Sequence, residues 1–306
     1  MKQMHYSLVD VFTNRPFGGN QLAVFPDARG LTAETMQALA KELNLSECAF
    51  VFPAQDAACD YRVRIFTPAV ELPMAGHPTV GTAFVLVNEG IIQLAQPETT
   101  LNFEEGVGVV PVTLFAREGQ LQLIQMRQPL PTFGPLFHDR EAIAHLLSLD
   151  LSLLDATLPL EVVSCGVPFL FVPVKSLEAI RVIRFRLDVW ERVLRDFAAP
   201  HVFVFTREVV FPDSTVHSRM FAPAMGIAED PATGAASGPL GCYLVRHRVV
   251  QSGGAGSSQM VSEQGFEIGR PSLVQVKIET DGQRITDVSI GGQCYFIGKG
   301  WIILPE

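Results

Sequence analysis

Short apolar runs dominate the chain. HYSLVDVFT (5–13), QLAVFP (21–26), CAFVFP (48–53), YRVRIFTP (61–68), TLNFE (100–104), GVVPVTLFA (108–116) and LQLIQM (121–126) are rich in β-branched and aromatic residues. Each is bounded by Gly, Pro or polar turns, which is the pattern of strands. Helical periodicity is rarer. In TAETMQALAKELN (32–44), Thr32 can cap while Met36, Leu39, Ala40 and Leu43 fall on one face, so a helix lying on the outside of a sheet is predicted. In PTVGTAFVLVNEG (78–90), Pro78 suits the first helical turn and Gly90 the exit. Its interior AFVLV is apolar on every side, which predicts a helix surrounded by protein.

A repeat underlies this order. Sliding the chain against itself by about 153 residues brings AFVF (49–52) onto VFVF (202–205) and HPTVGTA (77–83) onto DPATGAA (230–236). RIFTP (64–68) meets RMFAP (219–223) at nearly the same shift, and RPFGG (15–19) meets VPFLF (167–171) more loosely. Such matches in one order and at nearly constant offset predict two homologous halves, 1–128 and 129–306, with a C-terminal segment able to cross back to the first half. Each half is expected to be a curved, mostly antiparallel sheet rolled around one buried helix, an α+β fold of two pseudo-symmetric domains. The halves are expected to face each other across a cleft.

Composition narrows the partners. With 306 residues, 48% of them hydrophobic and 18% charged, the chain can bury two large cores. The net charge of −9 and the lack of any Lys/Arg run argue against nucleic acid or an anionic membrane as partner. A small molecule or a second copy in a homodimer is expected instead. Uncharged stretches fall short of the roughly 18 residues a membrane helix needs. The opening residues lack the apolar region of an export signal, so a cytoplasmic protein is expected. Cys48, Cys59, Cys165, Cys242 and Cys294 are scattered, without a C-x-x-C pair, and suggest neither a disulfide framework nor a zinc site. No P-loop or strand-linked G-x-G-x-x-G occurs, so no nucleotide cofactor is expected. The Gly/Ser stretch 251–259 reads as a mobile loop.

Candidate chemistry gathers at the heads of the two central helices, in AGHP (75–78) and EDPATG (229–234). A helix N-terminus offers unsatisfied N–H groups and positive dipole, which suit a carboxylate. His77 and Asp230 occupy equivalent places in the repeat; each alone could be structural, Asp230 as an N-cap. Ser46 and Glu47 stand between the amphipathic helix and an apolar strand. A carboxyl walled by Leu45 and Phe50 could take and return a proton, which is isomerase chemistry. A hydrolase built on Ser237, His77 and Asp230 is disfavoured, because GAASGPLG is not the G-x-S-x-G elbow.

Together DVFTNRPFGGNQLAVF, NLSECAFV, RIFTP, AGHPTVGTA, EDPATGAASGPLGCYL and the closing GGQCYFIGKG resemble the phenazine-biosynthesis PhzF family, related in fold to diaminopimelate epimerase. The resemblance spans nearly the whole chain. It implies two like domains with the active site in the groove, common homodimers, and no metal or organic cofactor. By its motifs, Glu47 matches the glutamate that moves a proton between carbon atoms of an unsaturated cyclic amino acid. His77 and Asp230 match the family's His and Asp, and Gly76 and Gly234 the backbone groups that hold the substrate carboxylate. Where the family often has serine after the DPATG glycine, this chain has Ala235, so a hydroxyl that would touch the substrate is missing. That departure leaves a second expectation, a carboxylate-binding protein without chemistry. Epimerases of this fold use two opposed cysteines at the helix heads; here no cysteine lies in either turn, which disfavours a two-thiol racemase.

Overall fold

The computed structural model describes residues 2–95, 97–250, 256–282 and 284–304. The chain divides into two compact units, Met1–Arg127 with Gly291–Glu306, and Gln128–Ile290. The fold is α+β, with mixed but mostly antiparallel strand pairing.

In the first unit Lys2–Val11 pairs antiparallel with Asn20–Phe25 on one side and with Cys294–Leu304 on the other, so the last strand is stitched to the first. Asn20–Phe25 runs parallel to Glu47–Pro53, which pairs antiparallel with Tyr61–Phe66. Parallel neighbours need a crossover. It is the helix Ala33–Leu43, begun by Thr32, whose Oγ1 accepts from the Thr35 N–H, and ended by Asn44 in the left-handed conformation. Its Met36, Leu39 and Ala40 pack with Phe25 and Phe50, whose rings stack 4.7 Å apart. Burying each large side chain contributes about 1.5–3 kcal/mol.

The second unit repeats the order. Pro168–Pro173 runs parallel to His201–Thr206, which pairs antiparallel with Val216–Ala222. The strands that carry AFVF and VFVF, and RIFTP and RMFAP, therefore occupy the same topological places. The crossover differs: two short helices, Leu177–Arg181 and Leu187–Val193, replace one, and together with Arg140–Leu147 they cover a core that includes Trp190. The periodicity of the chain did not predict these three helices, which are only five to eight residues long.

Each unit holds one central helix, Gly76–Asn88 or Gly234–Arg246, and ten of the thirteen residues of each are buried. Close packing explains the glycines inside them. A Cβ at Gly81 would come within 2.6 Å of Leu22 and 2.7 Å of Val11, and one at Gly241 within 2.7 Å of Val276. Gly81, which the repeat aligns with Gly234, is thus a packing position in the helix interior, whereas Gly234 opens its helix. No described helix is long and apolar enough to cross a membrane. Of the stretch 251–259 expected to be a loop, 251–255 lie outside the described residues. Its last three residues instead begin the strand Ser257–Gln264, which pairs with Ser272–Thr280.

Candidate active site

Among the described residues three α-helices are capped by a side chain: Thr32, Asp139 and Ser176 accept from the first turn that follows each. The two central helices are not. Ala75 and Thr233 make no side-chain cap hydrogen bond, and neither first turn contains an acidic residue. Their N-terminal N–H groups and positive dipole ends are left for an anion from outside the helix. Gly76 and Gly234 are the first helical residues, where backbone can approach such an anion closely.

In the first unit, Glu47 opens the strand Glu47–Pro53 opposite Leu22, and His77 is the second residue of the central helix. Both are buried, at 8% and 5% exposure. Their Oε2 and Nε2 atoms lie 3.2 Å apart. Burial drives the His77 imidazole down to about 3, against a hydrogen bond to the Gln21 backbone that favours its charged form. The ring is therefore neutral at physiological pH, with one nitrogen donating to Gln21. His77 Nε2 makes no aligned hydrogen bond. Two facing lone pairs at 3.2 Å repel, so the approach becomes favourable once Glu47 has taken up a proton that it can share with Nε2. Ser46 is half-buried just before the strand, and no described contact joins it to Glu47 or His77.

In the second unit Asp230 is buried at the end of the strand Ile227–Asp230. It is not the N-cap that its spacing suggested: Thr233 is, because Pro231 and Ala232 extend the turn before the helix begins. The Thr233 hydroxyl donates to Asp230 Oδ2 at 2.5 Å and accepts from Gln264 Nε2 at 2.9 Å. Gln264 also donates to the Asp230 carbonyl at 2.7 Å and accepts from the Thr233 N–H at 3.1 Å. This one amide fixes the whole turn, yet no local pattern marks it, since its partners lie more than thirty positions away. Ala235, the second helical residue, is half-buried and presents only a methyl group.

Ser237 is buried in the central helix and donates its hydroxyl to the Thr233 carbonyl at 2.9 Å, so its proton is committed to backbone rather than to a base. Cys48 lies beside Glu47 but burial pushes its thiol up to about 12, and Cys242 sits in the helix interior. Neither is placed as a thiol at a helix head. Among the described residues no group of three or more His, Cys, Asp or Glu is arranged to hold a metal ion.

Glu105 is a further polar residue at the first helix head, and nothing in the local sequence marks it. It ends the strand Glu98–Glu105, and its Oε1 lies 2.6 Å from the hydroxyl of Thr79, which is 2.7 Å from the Ala75 carbonyl at the head of the first central helix. Burial pushes its carboxyl up to about 8, with the Thr79 contact acting in the opposite direction, so it is the neutral acid at pH 7.

The profile of the family described as "Phenazine biosynthesis-like protein" matches residues 9–300. The chain is 39% identical to trans-2,3-dihydro-3-hydroxyanthranilate isomerase of Pseudomonas aeruginosa, over 97% of this chain and 99% of that protein. The crystal structure of a PhzF-family phenazine biosynthesis protein from Bacillus anthracis superposes with a TM-score of 0.89 at 30% identity, covering 99% of this chain and 100% of that one. In fold alone, a hydroxyproline epimerase from Agrobacterium vitis is also similar, with a TM-score of 0.66 at 14% identity over 98% and 92% of the two chains. An uncapped helix head beside a buried Glu–His pair thus sits in a chain that matches isomerases end to end: the chain belongs to the phenazine biosynthesis-like family, PhzC-PhzF, and is an isomerase of the PhzF type.

Proposed function

We propose that the protein moves a proton between two carbon atoms of a small, unsaturated cyclic amino acid, with Glu47 as the single acid and base and without a cofactor. The observation that carries this reading is the 3.2 Å approach of Glu47 Oε2 to His77 Nε2, both buried, at the uncapped head of the first central helix. In the proposed cycle the Glu47 carboxylate takes a proton from a ring C–H, and the electron pair left on carbon shifts the neighbouring double bond. Glu47, whose proton exchanges with solvent between the two steps, then delivers a proton to the far carbon of the new system. Atoms and charge balance, and no oxidant is needed. Neutral His77 accepts a hydrogen bond from protonated Glu47 and holds it between the two transfers. The Gly76 N–H holds the substrate carboxylate; in the second unit Asp230 and Gly234 are the residues that the family resemblance matches to substrate contact.

The name of the Pseudomonas aeruginosa relative supplies the first substrate to try, trans-2,3-dihydro-3-hydroxyanthranilate. Incubated with the enzyme in D2O, it should gain deuterium at carbon. Glu47→Gln should abolish that exchange. Undiminished exchange in the variant would remove Glu47 from the mechanism.

Ala235 favours a second reading, a carboxylate-binding protein on the same fold, since the hydroxyl usual at that position is absent. A ligand that stabilises the fold and comes back chemically intact after long incubation would support it over the enzyme.

A further inference from the structure

The two central helices share a feature at their fourth residue. In the first unit Thr79 donates its hydroxyl to the Ala75 carbonyl at 2.7 Å; in the second, Ser237 donates to the Thr233 carbonyl at 2.9 Å. Both side chains are completely buried. A hydroxyl bonding back to the carbonyl four residues earlier tends to bend a helix slightly and is neutral at best for its stability. Its recurrence at two helix heads therefore asks for another reason.

The accepting carbonyl and the following N–H belong to one planar peptide unit. Ala75 C=O shares its plane with the Gly76 N–H, and Thr233 C=O with the Gly234 N–H. The helix already ties these carbonyls through the Thr79 and Ser237 N–H groups, at 3.4 and 3.0 Å, and a second bond from the hydroxyl narrows the orientation of a plane that ends in permissive glycine. A hydrogen bond to the carbonyl fixes the plane, aims the glycine N–H, and polarises it as a donor.

Glu105 completes the first of these clamps. The Thr79 hydroxyl has one hydrogen and two acceptor-type neighbours, Ala75 O at 2.7 Å and Glu105 Oε1 at 2.6 Å. Both contacts are hydrogen bonds only when Glu105 carries a proton and donates to Thr79, leaving the threonine hydrogen for Ala75. Glu105 is 6% exposed, its Oε2 has no partner, and Gly106 after it presses on Pro73 so closely that a Cβ would come within 2.8 Å of the Pro73 Cα. The carboxyl is held in place, and its burial disfavours the charged form. In the second unit Gln128 Nε2 donates to the Gly234 carbonyl at 3.0 Å, which fixes the next peptide, the one that carries the Ala235 N–H.

We propose that Thr79 and Ser237 are positioning residues for carboxylate binding, each aiming the N–H of the glycine at its own helix head, Gly76 or Gly234, and that Glu105 as a neutral acid keeps the Thr79 hydroxyl turned toward Ala75. The inference rests on the reading that these glycines hold a carboxylate.

Anthranilate and anthranilamide, which differ only in carboxylate against carboxamide, separate positioning from mere stability. Wild type should prefer anthranilate in calorimetric titration. Thr79→Val and Ser237→Ala should each weaken anthranilate roughly fivefold to tenfold, since the glycine N–H is misaimed rather than lost. Anthranilamide binding should move less than twofold, Thr79→Ser should restore the preference, and Glu105→Gln, which can still donate to Thr79, should keep it. An equal loss for both ligands, or an unchanged preference in both folded variants, overturns the positioning role and leaves the site standing. A wild-type protein with no preference for the carboxylate overturns both.

Discussion

Glu47 and His77 meet at 3.2 Å although they lie on different elements, one opening a strand and the other in the first turn of the central helix. The strand side is fixed by parallel pairing of Glu47 with Leu22, and the helix side by the bond of His77 to the Gln21 backbone, so neighbouring residues of one strand set both partners. A pair placed this way is rigid, and its chemistry depends on where one proton sits.

Glu47→Gln should therefore separate activity from stability. Its amide can donate to His77 Nε2, so the contact survives and the unfolding free energy should stay within about 1 kcal/mol of wild type. Turnover should fall by roughly 10²–10⁴, the usual worth of a positioned acid–base group. Nitrogen-15 NMR of His77 should show one neutral tautomer from pH 8 to pH 5, because burial holds its pKa near about 3. An imidazolium signal growing in near pH 6.5 would contradict the arrangement.

Glu105 and His77 should give the stability profile opposite slopes. The folded-state pKa of Glu105, at about 8, lies above that of an ordinary carboxylate. Its contribution is complete below about pH 4.5 and is lost as the pH rises through 8. His77 is the reverse: its depressed value means that its contribution is complete above about pH 6.5 and is lost as the pH falls toward 3. Glu105→Gln should be closer to wild type in stability at pH 5 and more stable than it at pH 9, by a few kcal/mol at most, and its melting temperature should shift accordingly. A difference in melting temperature that does not change with pH would show that Glu105 is ionised throughout.

Ala235→Ser tests the departure from the family pattern. Position 235 is the second residue of the helix and half-buried, so a serine there fits without displacing the core. If its hydroxyl meets the substrate, kcat/KM on trans-2,3-dihydro-3-hydroxyanthranilate should rise about fivefold, the value of one neutral hydrogen bond. No gain would mean that this chain's own substrate does not present a partner at that place.

Much of the fold is legible in short-range patterns. AFVF and VFVF, RIFTP and RMFAP are strands in equivalent places because apolar runs between turn residues have few other options, and the all-apolar AFVLV is buried as such a helix must be. Glu47 and His77 are legible for a related reason: a carboxyl at a strand entrance and a histidine in a helix turn are out of place on apolar elements. What stays hidden depends on distant partners. Glu105 reads as one more polar position in an alternating strand until Thr79 is seen beside it, and Gln264 reads as a strand end until it is found holding the Asp230 turn. The register of the second turn was misleading too, because the repeat aligns residues but not the point at which the helix starts; Asp230 belongs to the strand.

The strand that carries Gln264 is itself held by His217, and this makes a final prediction. His217 is fully buried, with Nδ1 2.8 Å from Glu263 and Nε2 2.9 Å from Glu267, while Glu263 also accepts from the N–H groups of Val210 and Phe211. Desolvation opposes the charged ring, but the two carboxylates outweigh it, and the pKa of His217 is raised; those of Glu263 and Glu267 are lowered, their bonds to His217 outweighing their own burial. The histidine part of this stabilisation is complete below about pH 6.5 and is lost as the pH climbs through the raised value. The carboxylate part is complete above about pH 4.5 and is lost as the pH drops through the lowered ones. The clamp is therefore strongest between about pH 4.5 and 6.5. His217→Gln cannot carry the positive charge, and breaking a buried pair of this kind costs about 3–5 kcal/mol. Urea titrations should find that loss largest near pH 5.5 and clearly smaller at pH 9. An equal loss at both values would mean that His217 is neutral in the folded protein and serves only to fill space.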